Sequence, residues 1–133
     1  MSEKVLIVDD EKDFLDIIAE RIGARGMDVS TASSAEAALN MVEEESYDVV
    51  IMDFMMPALD GFKALKLMKA KRPEVQIILL TGNVPDEKRM EARELGALDV
   101  IEKPPDLQDL IKKIKKAKKA QRTVHGKKGR HKK

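Results

Sequence analysis

Apolar runs of four to six residues alternate with amphipathic stretches of ten to fifteen along most of this chain, and few folds accept that rhythm. A short run made almost wholly of Val, Ile and Leu is the pattern of a strand buried on both faces, as in a parallel sheet covered by helices on each side. Lys4–Val8 is such a run. Behind it, Phe14, Ile17, Ile18 and Ile22 recur at helical spacing, with Gly26 placed to end the helix. Asp28–Thr31 predicts a second strand, and Ser33 with Glu36 resembles a capping box opening a helix whose Ala35, Ala38, Leu39 and Val42 share one face.

The same alternation continues through three further units. Val49–Met52 predicts the third strand, Phe62, Leu65 and Met68 the stripe of a helix that stops at Pro73, and Val75–Leu80 the fourth strand. A weakly amphipathic helix near Asp86–Leu95, a short strand at Asp99–Ile101 and a last helix bearing Leu107, Leu110, Ile111, Ile114 and Ala117 complete the series. Five strand-helix units in 133 residues are too few for an eight-stranded barrel, so the expected fold is α/β, an open, doubly wound parallel sheet. Ligands of such sheets sit beyond the carboxyl ends of the strands.

That rule selects Asp9-Asp10, Asp53, Thr81 and Lys103, each at the end of a different predicted strand. Acids in such places are often solvated loop residues, but four chemically matched positions gathered at one sheet edge are hard to assign to chance. Carboxylates so gathered repel by about 4 kcal/mol per pair at 4 Å with an effective dielectric near 20. Lys103 offsets part of this, and a cluster of oxygens without His or Cys suits a hard divalent cation, of which Mg²⁺ is the abundant one. In this set Asp53 suits a carboxylate nucleophile toward phosphorus, with Lys103 and the Thr81 hydroxyl stabilising charge on the transferred group.

Val8-Asp9-Asp10-Glu11, Asp53-x-Met55-Met56-Pro57-x-x-Asp60-Gly61, Thr81-Gly82 and Lys103-Pro104, in this order, resemble the receiver domain of bacterial two-component systems. The resemblance covers about residues 3 to 120 and implies a (βα)₅ flavodoxin-like sheet of order 2-1-3-4-5. It implies Asp53 as phosphoacceptor, Asp9, Asp10, Asp53 and the Met55 backbone carbonyl as Mg²⁺ ligands, Thr81 and Lys103 as phosphoryl contacts, and a cis Lys103-Pro104 bond. The phosphoryl donor would be a phosphohistidine on a sensor histidine kinase or histidine phosphotransfer protein. The output would be a contact between a downstream protein and the last two helices with the strand between them.

Two departures bear on the switch. Many receivers carry Tyr or Phe where Val100 stands, and a valine cannot make the ring movement attributed to that position; Pro105 replaces a common Phe where the last helix begins. Met55 and Asn83 are expected beside the attacking water, and only Asn83 offers it a hydrogen bond. Asp60-Gly61 reads as a turn and helix start without a chemical role. A haloacid-dehalogenase-type phosphatase uses similar groups but needs a second Asp two residues after its nucleophile, where this chain has Met55. The intact Asp, Thr and Lys set argues against a degenerate interaction module, and the expected function is that of a regulatory phosphoacceptor rather than a turnover enzyme.

Charge divides the chain. Residues 1–111 hold 13 Lys and Arg against 24 acids, a net charge of −11, whereas residues 112–133 hold 12 Lys and Arg and no acid. The expected organisation is a receiver over 1–120 and a basic, disordered tail over 121–133, foremost a solvated helix end. Nucleic acid is the alternative partner for the tail, although no aromatic residue interleaves its lysines for base stacking. The absence of cysteine, of a secretory pattern and of any run near the ~20 apolar residues of a membrane span leads to a cytoplasmic expectation.

Overall fold

A computed structural model describes the backbone of residues 3–56, 59–82 and 85–131, and the side chains of these apart from 55–59 and 120–131. The elements run β1 (Lys4–Val8), α1 (Lys12–Gly23), β2 (Asp28–Ala32), α2 (Ala35–Glu44), β3 (Val49–Asp53), β4 (Met55–Met56), β5 (Leu59–Asp60), α3 (Gly61–Lys71), β6 (Gln76–Thr81), α4 (Asp86–Glu94), β7 (Asp99–Glu102) and α5 (Leu107–His131). Strands β2-β1-β3-β6-β7 form one parallel sheet, which is order 2-1-3-4-5 when its five strands are numbered by themselves. The short β4 and β5 pair antiparallel in the loop that follows β3.

The period-two alternation of strand side chains divides the core in two. Val5, Ile7, Ile51, Ile78 and Leu80 face α1 and α5, packing on Leu15, Ile18, Ile22, Leu110, Ile114 and Ala117. Their neighbours Leu6, Val8, Val50, Met52, Ile77 and Leu79 face α2, α3 and α4, packing on Ala38, Val42, Leu65, Met68 and Ala92. Every residue of β3 and β6 is buried, as the continuous apolar runs require, while β2 and β7 are the edges and are partly exposed.

Local differences from the expected pattern have physical causes. Ser34, not Ser33, caps α2: its backbone is extended and its Oγ accepts a hydrogen bond from the Ala37 N–H at 3.1 Å. Ile17 is not buried; it is 52% exposed on α1, beside an apolar surface groove lined by Phe14, Pro104, Pro105 and Leu107. Strand β6 starts one residue later than expected and takes in Thr81, which brings the Thr81 carbonyl to the Lys103 N–H at 2.7 Å. Asp106 accepts hydrogen bonds from the N–H groups of Gln108 and Asp109, so α5 opens on an acidic cap directly after Pro105. Helix α5 runs from the packed turns of Leu110, Ile114 and Ala117 on to His131.

Candidate functional site

The sheet turns outward in two directions from β1, to β2 on one side and β3 on the other, and the crevice of a doubly wound sheet opens at the carboxyl end of that switch point. Asp9 follows β1 directly and Asp53 closes β3. One carboxylate oxygen each from Asp9, Asp10 and Asp53 lies within 4.8 Å of the others, with Asp9 and Asp53 buried and Asp10 exposed. Asp9 is fixed further by its Oδ1, which accepts from the Glu11 N–H at 2.8 Å. Three carboxylates from two adjacent strand ends therefore converge, as their spacing predicts.

Lys103, just past β7, supplies the opposing charge. Its Nζ stands 2.7 Å from Asp9 Oδ2, 3.2 Å from Asp53 Oδ2 and 3.1 Å from Glu11 Oε1, and 4.6 Å from the centre of the Phe14 ring. The contact with Asp9 is a close ion pair whose angles fall short of a hydrogen bond. Burial pushes the Asp9 carboxyl up, and Lys103 only partly restores it, so the group stays above the ordinary aspartate value. Burial acts on Lys103 in the opposite sense, but its carboxylate neighbours outweigh it and hold the ammonium firmly protonated. The Lys103-Pro104 bond is cis, as the resemblance implies.

Thr81 completes the edge at the end of β6. It is fully buried, and its Oγ1 has no hydrogen-bond partner among the described residues. An unpaired buried hydroxyl costs on the order of 1–3 kcal/mol and is suited to a ligand atom that can accept its proton. Asn83 lies outside the described residues, as do Pro57 and the side chain of Met55; the Met55 backbone belongs to β4.

Gly61 shapes the loop over this edge. A Cβ there would stand 2.5 Å from the Phe54 carbonyl oxygen and 2.6 Å from Phe54 Cδ1, so only glycine admits the approach. Asp60 caps α3 by accepting from the Phe62 N–H at 2.8 Å, which fits the helix-start role expected of it. The Phe54 and Phe62 rings then meet edge to face at 4.8 Å.

A family model described as the response regulator receiver domain matches residues 5–115. This chain belongs to that family. The probable transcriptional regulator ycf27 of Guillardia theta is 47% identical over 104 residues, covering 77% of this chain and 40% of that protein. The alkaline phosphatase synthesis transcriptional regulatory protein PhoP of Bacillus subtilis is 35% identical over 104 residues, covering 78% of this chain and 43% of the other. A solved receiver domain from Clostridium thermocellum is 34% identical with a TM-score of 0.86, covering 92% of this chain and 98% of that one. The chain spans less than half the length of these curated relatives. Its role is that of a receiver, a regulatory phosphoacceptor domain of two-component signal transduction.

On the receiver's far face, Val100 is buried, and its carbonyl accepts from Arg89 Nη1 at 3.0 Å while Arg89 Nη2 pairs with Glu102 at 2.9 Å. Asp99 pairs with both Arg93 of α4 and Lys113 of α5. Ala92 is the one buried residue of α4, and Arg89 and Arg93 connect that helix to β7 through these contacts. The contacts of Glu11 and Phe14 with Lys103 were not anticipated from the sequence. The available signal was their position, immediately after the acid pair and in the first turn of α1, at the same sheet edge.

Among the described residues no helix is long and apolar enough to cross a membrane.

Proposed function

We propose that Asp53 is the phosphoacceptor of this receiver and takes its phosphoryl group from a phosphohistidine on a sensor histidine kinase or histidine phosphotransfer protein. The observation that carries this reading is the convergence of a buried carboxylate, a lysine ammonium and an unpaired buried hydroxyl at three neighbouring strand ends. An Asp53 carboxylate oxygen would form the new P–O bond as the P–N bond to the histidine breaks, with the electron pair leaving on the imidazole. Lys103 and the Thr81 hydroxyl would then face the phosphoryl oxygens, where the added negative charge otherwise meets only Asp9 and Asp10.

The donor set suits Mg²⁺: three carboxylates within reach of a single ion, all oxygen, with Asp10 open to solvent. Asp9, Asp10, Asp53 and the Met55 carbonyl would hold it, directly or through water, and when bound it would neutralise the oxygens of the transferred group. Residues 1–120 act in this reading as a cytoplasmic receiver, with 121–133 as its basic extension. The domain acts through its surface rather than by turnover of a small substrate, and α4, β7 and α5 meet the downstream protein.

Peptide mapping after treatment with acetyl phosphate, with and without chelator, tests the assignment. Label is expected on Asp53 alone and only with the metal. Asp53→Asn should abolish it with the fold intact, whereas Asp10→Asn should slow it and recover partly at raised Mg²⁺. Label on another residue, or full labelling in chelator, would overturn the assignment.

A further inference from the structure

Lys103 is claimed by more partners than one ammonium can serve once the acid cluster is occupied. Its Nζ lies 2.7 Å from Asp9 Oδ2 and 3.2 Å from Asp53 Oδ2, and both carboxylates belong to the group that can converge on one cation. A divalent ion bound there and an ammonium kept at these distances would be like charges a few ångströms apart, a repulsion of several kcal/mol at an effective dielectric near 20. Binding of the ion therefore favours withdrawal of the lysine from Asp9.

The structure shows what remains to receive it. Among the described residues, Glu11 Oε1 at 3.1 Å and the Phe14 ring at 4.6 Å are the two contacts of the Lys103 ammonium that lie outside the acid cluster. Glu11 is held to Asp9 through its own N–H, and Phe14 sits in the first turn of α1 and packs on the core beneath. The pair thus offers a carboxylate and a ring face to the same ammonium, one polar and one apolar side of a single cradle.

We propose that Glu11 and Phe14 are positioning residues that keep Lys103 at the site when a divalent cation displaces it from Asp9. The inference rests on the reading of Asp9, Asp10 and Asp53 as the Mg²⁺ site. It assigns the two residues no contact with the phosphoryl group. In the metal-free protein Asp9 and Asp53 also hold the ammonium, so loss of the cradle is felt once the metal has taken their place.

That difference sets the test. The full chain, Glu11→Gln, Phe14→Leu and the double variant are labelled with a lysine-methylating reagent, with and without Mg²⁺, and modification of Lys103 is followed by peptide mass. Without metal, Lys103 should be equally protected in all four proteins. With saturating Mg²⁺ it should stay protected in the parent chain and react on the order of five- to tenfold faster in the double variant, with intermediate single variants. Circular dichroism confirms folding, and Glu11→Gln, at an exposed position, supplies the test if Phe14→Leu does not fold. Equal Lys103 reactivity in all proteins at saturating Mg²⁺ would refute the cradle. Calorimetric titration separates that failure from the other: no Mg²⁺ binding to the parent chain would overturn the metal-site reading and the cradle with it.

Discussion

Replacing Lys103 by Met removes the charge and keeps most of the side chain's volume, so its effect isolates the electrostatics of the acid cluster. Asp9 is 1% exposed and the Asp53 side chain 8%, and both face Lys103 Nζ within 3.2 Å. Breaking a buried ion pair from one side costs about 3–5 kcal/mol, because the remaining charge stays desolvated. Protonation sets a ceiling: neutralising one ordinary aspartate at pH 7 costs about 4 kcal/mol. Asp9 already stands above the ordinary value, so the extra cost of neutralising it is smaller. The expected loss is therefore about 3 kcal/mol in chelator. Glu11 adds little to it, being mostly exposed.

For a domain of this size, about 1 kcal/mol shifts the midpoint by roughly 4 °C, so Lys103→Met should melt about 10–12 °C below the parent chain in chelator at pH 7. Mg²⁺ stabilises whatever binds it by mass action, about 2.7 kcal/mol at a concentration a hundredfold above Kd. In the variant no ammonium must first be displaced, so the metal should bind more tightly and narrow the gap. Thermal unfolding followed by circular dichroism, with chelator and with millimolar Mg²⁺, measures both effects. A gap below about 3 °C in chelator, or one unchanged by Mg²⁺, would refute the claim that Lys103 balances this cluster.

Gly61→Ala should destabilise by about 1–3 kcal/mol and slow labelling of Asp53, because the new Cβ displaces the Phe54 backbone next to it; an unchanged melting temperature would show that the loop gives way freely. Burial alone would push the Asp99 carboxyl up, but the hydrogen bond from Lys113 and the charges of Lys113 and Arg93 outweigh it, leaving the group below its ordinary value. Asp99→Asn should thus cost about 1 kcal/mol at pH 6, and the difference should vanish as pH falls from about 3.8 through the lowered folded-state value, as urea titrations across that range would show. Truncation after Ala120 should leave the melting temperature almost unchanged, since the segment removed holds a single apolar residue, Val124. Any duplex-DNA binding at low salt should weaken on that truncation, with a salt slope shallower by about 5 for the six cationic groups lost.

The sheet was readable because its signal is redundant. Residues 5–8, 49–52 and 77–80 are apolar on both faces, so a register error of one residue changes neither their burial nor their type. Features that depend on a single rotamer or on one pair of backbone angles were not readable in this way. Ser33 and Ser34 are both competent caps, and only the extended backbone at Ser34 decides between them. Helical spacing groups Ile17 with Ile18, yet the core stripe on α1 is narrow enough to leave Ile17 on the rim of the groove beside Pro104. For α5, the periodic apolar positions end at Ala117, the last buried residue among those whose side chains are described, and periodicity says nothing about how far the helix runs beyond it.

Strand topology brings Asp9, Asp10, Asp53, Thr81 and Lys103 to one edge whatever their side-chain conformations, which is why motif spacing alone could place them. How the charges are shared is a different kind of question. A lysine has three donors and a long flexible stem, and four acceptors compete for it here: two buried carboxylates, one exposed carboxylate and a ring face. The winner depends on differences of a few kcal/mol between desolvation and attraction, and those follow from burial, which spacing does not encode. Asp9 draws the closest contact because it is the most buried acid of the set and has the most to gain from a partner. A cation bound by the three carboxylates would alter that balance. The position of Lys103 is therefore the coordinate through which occupancy of the acid cluster should be felt at the end of β7, where its N–H is tied to Thr81 and its neighbour Glu102 to Arg89 of α4.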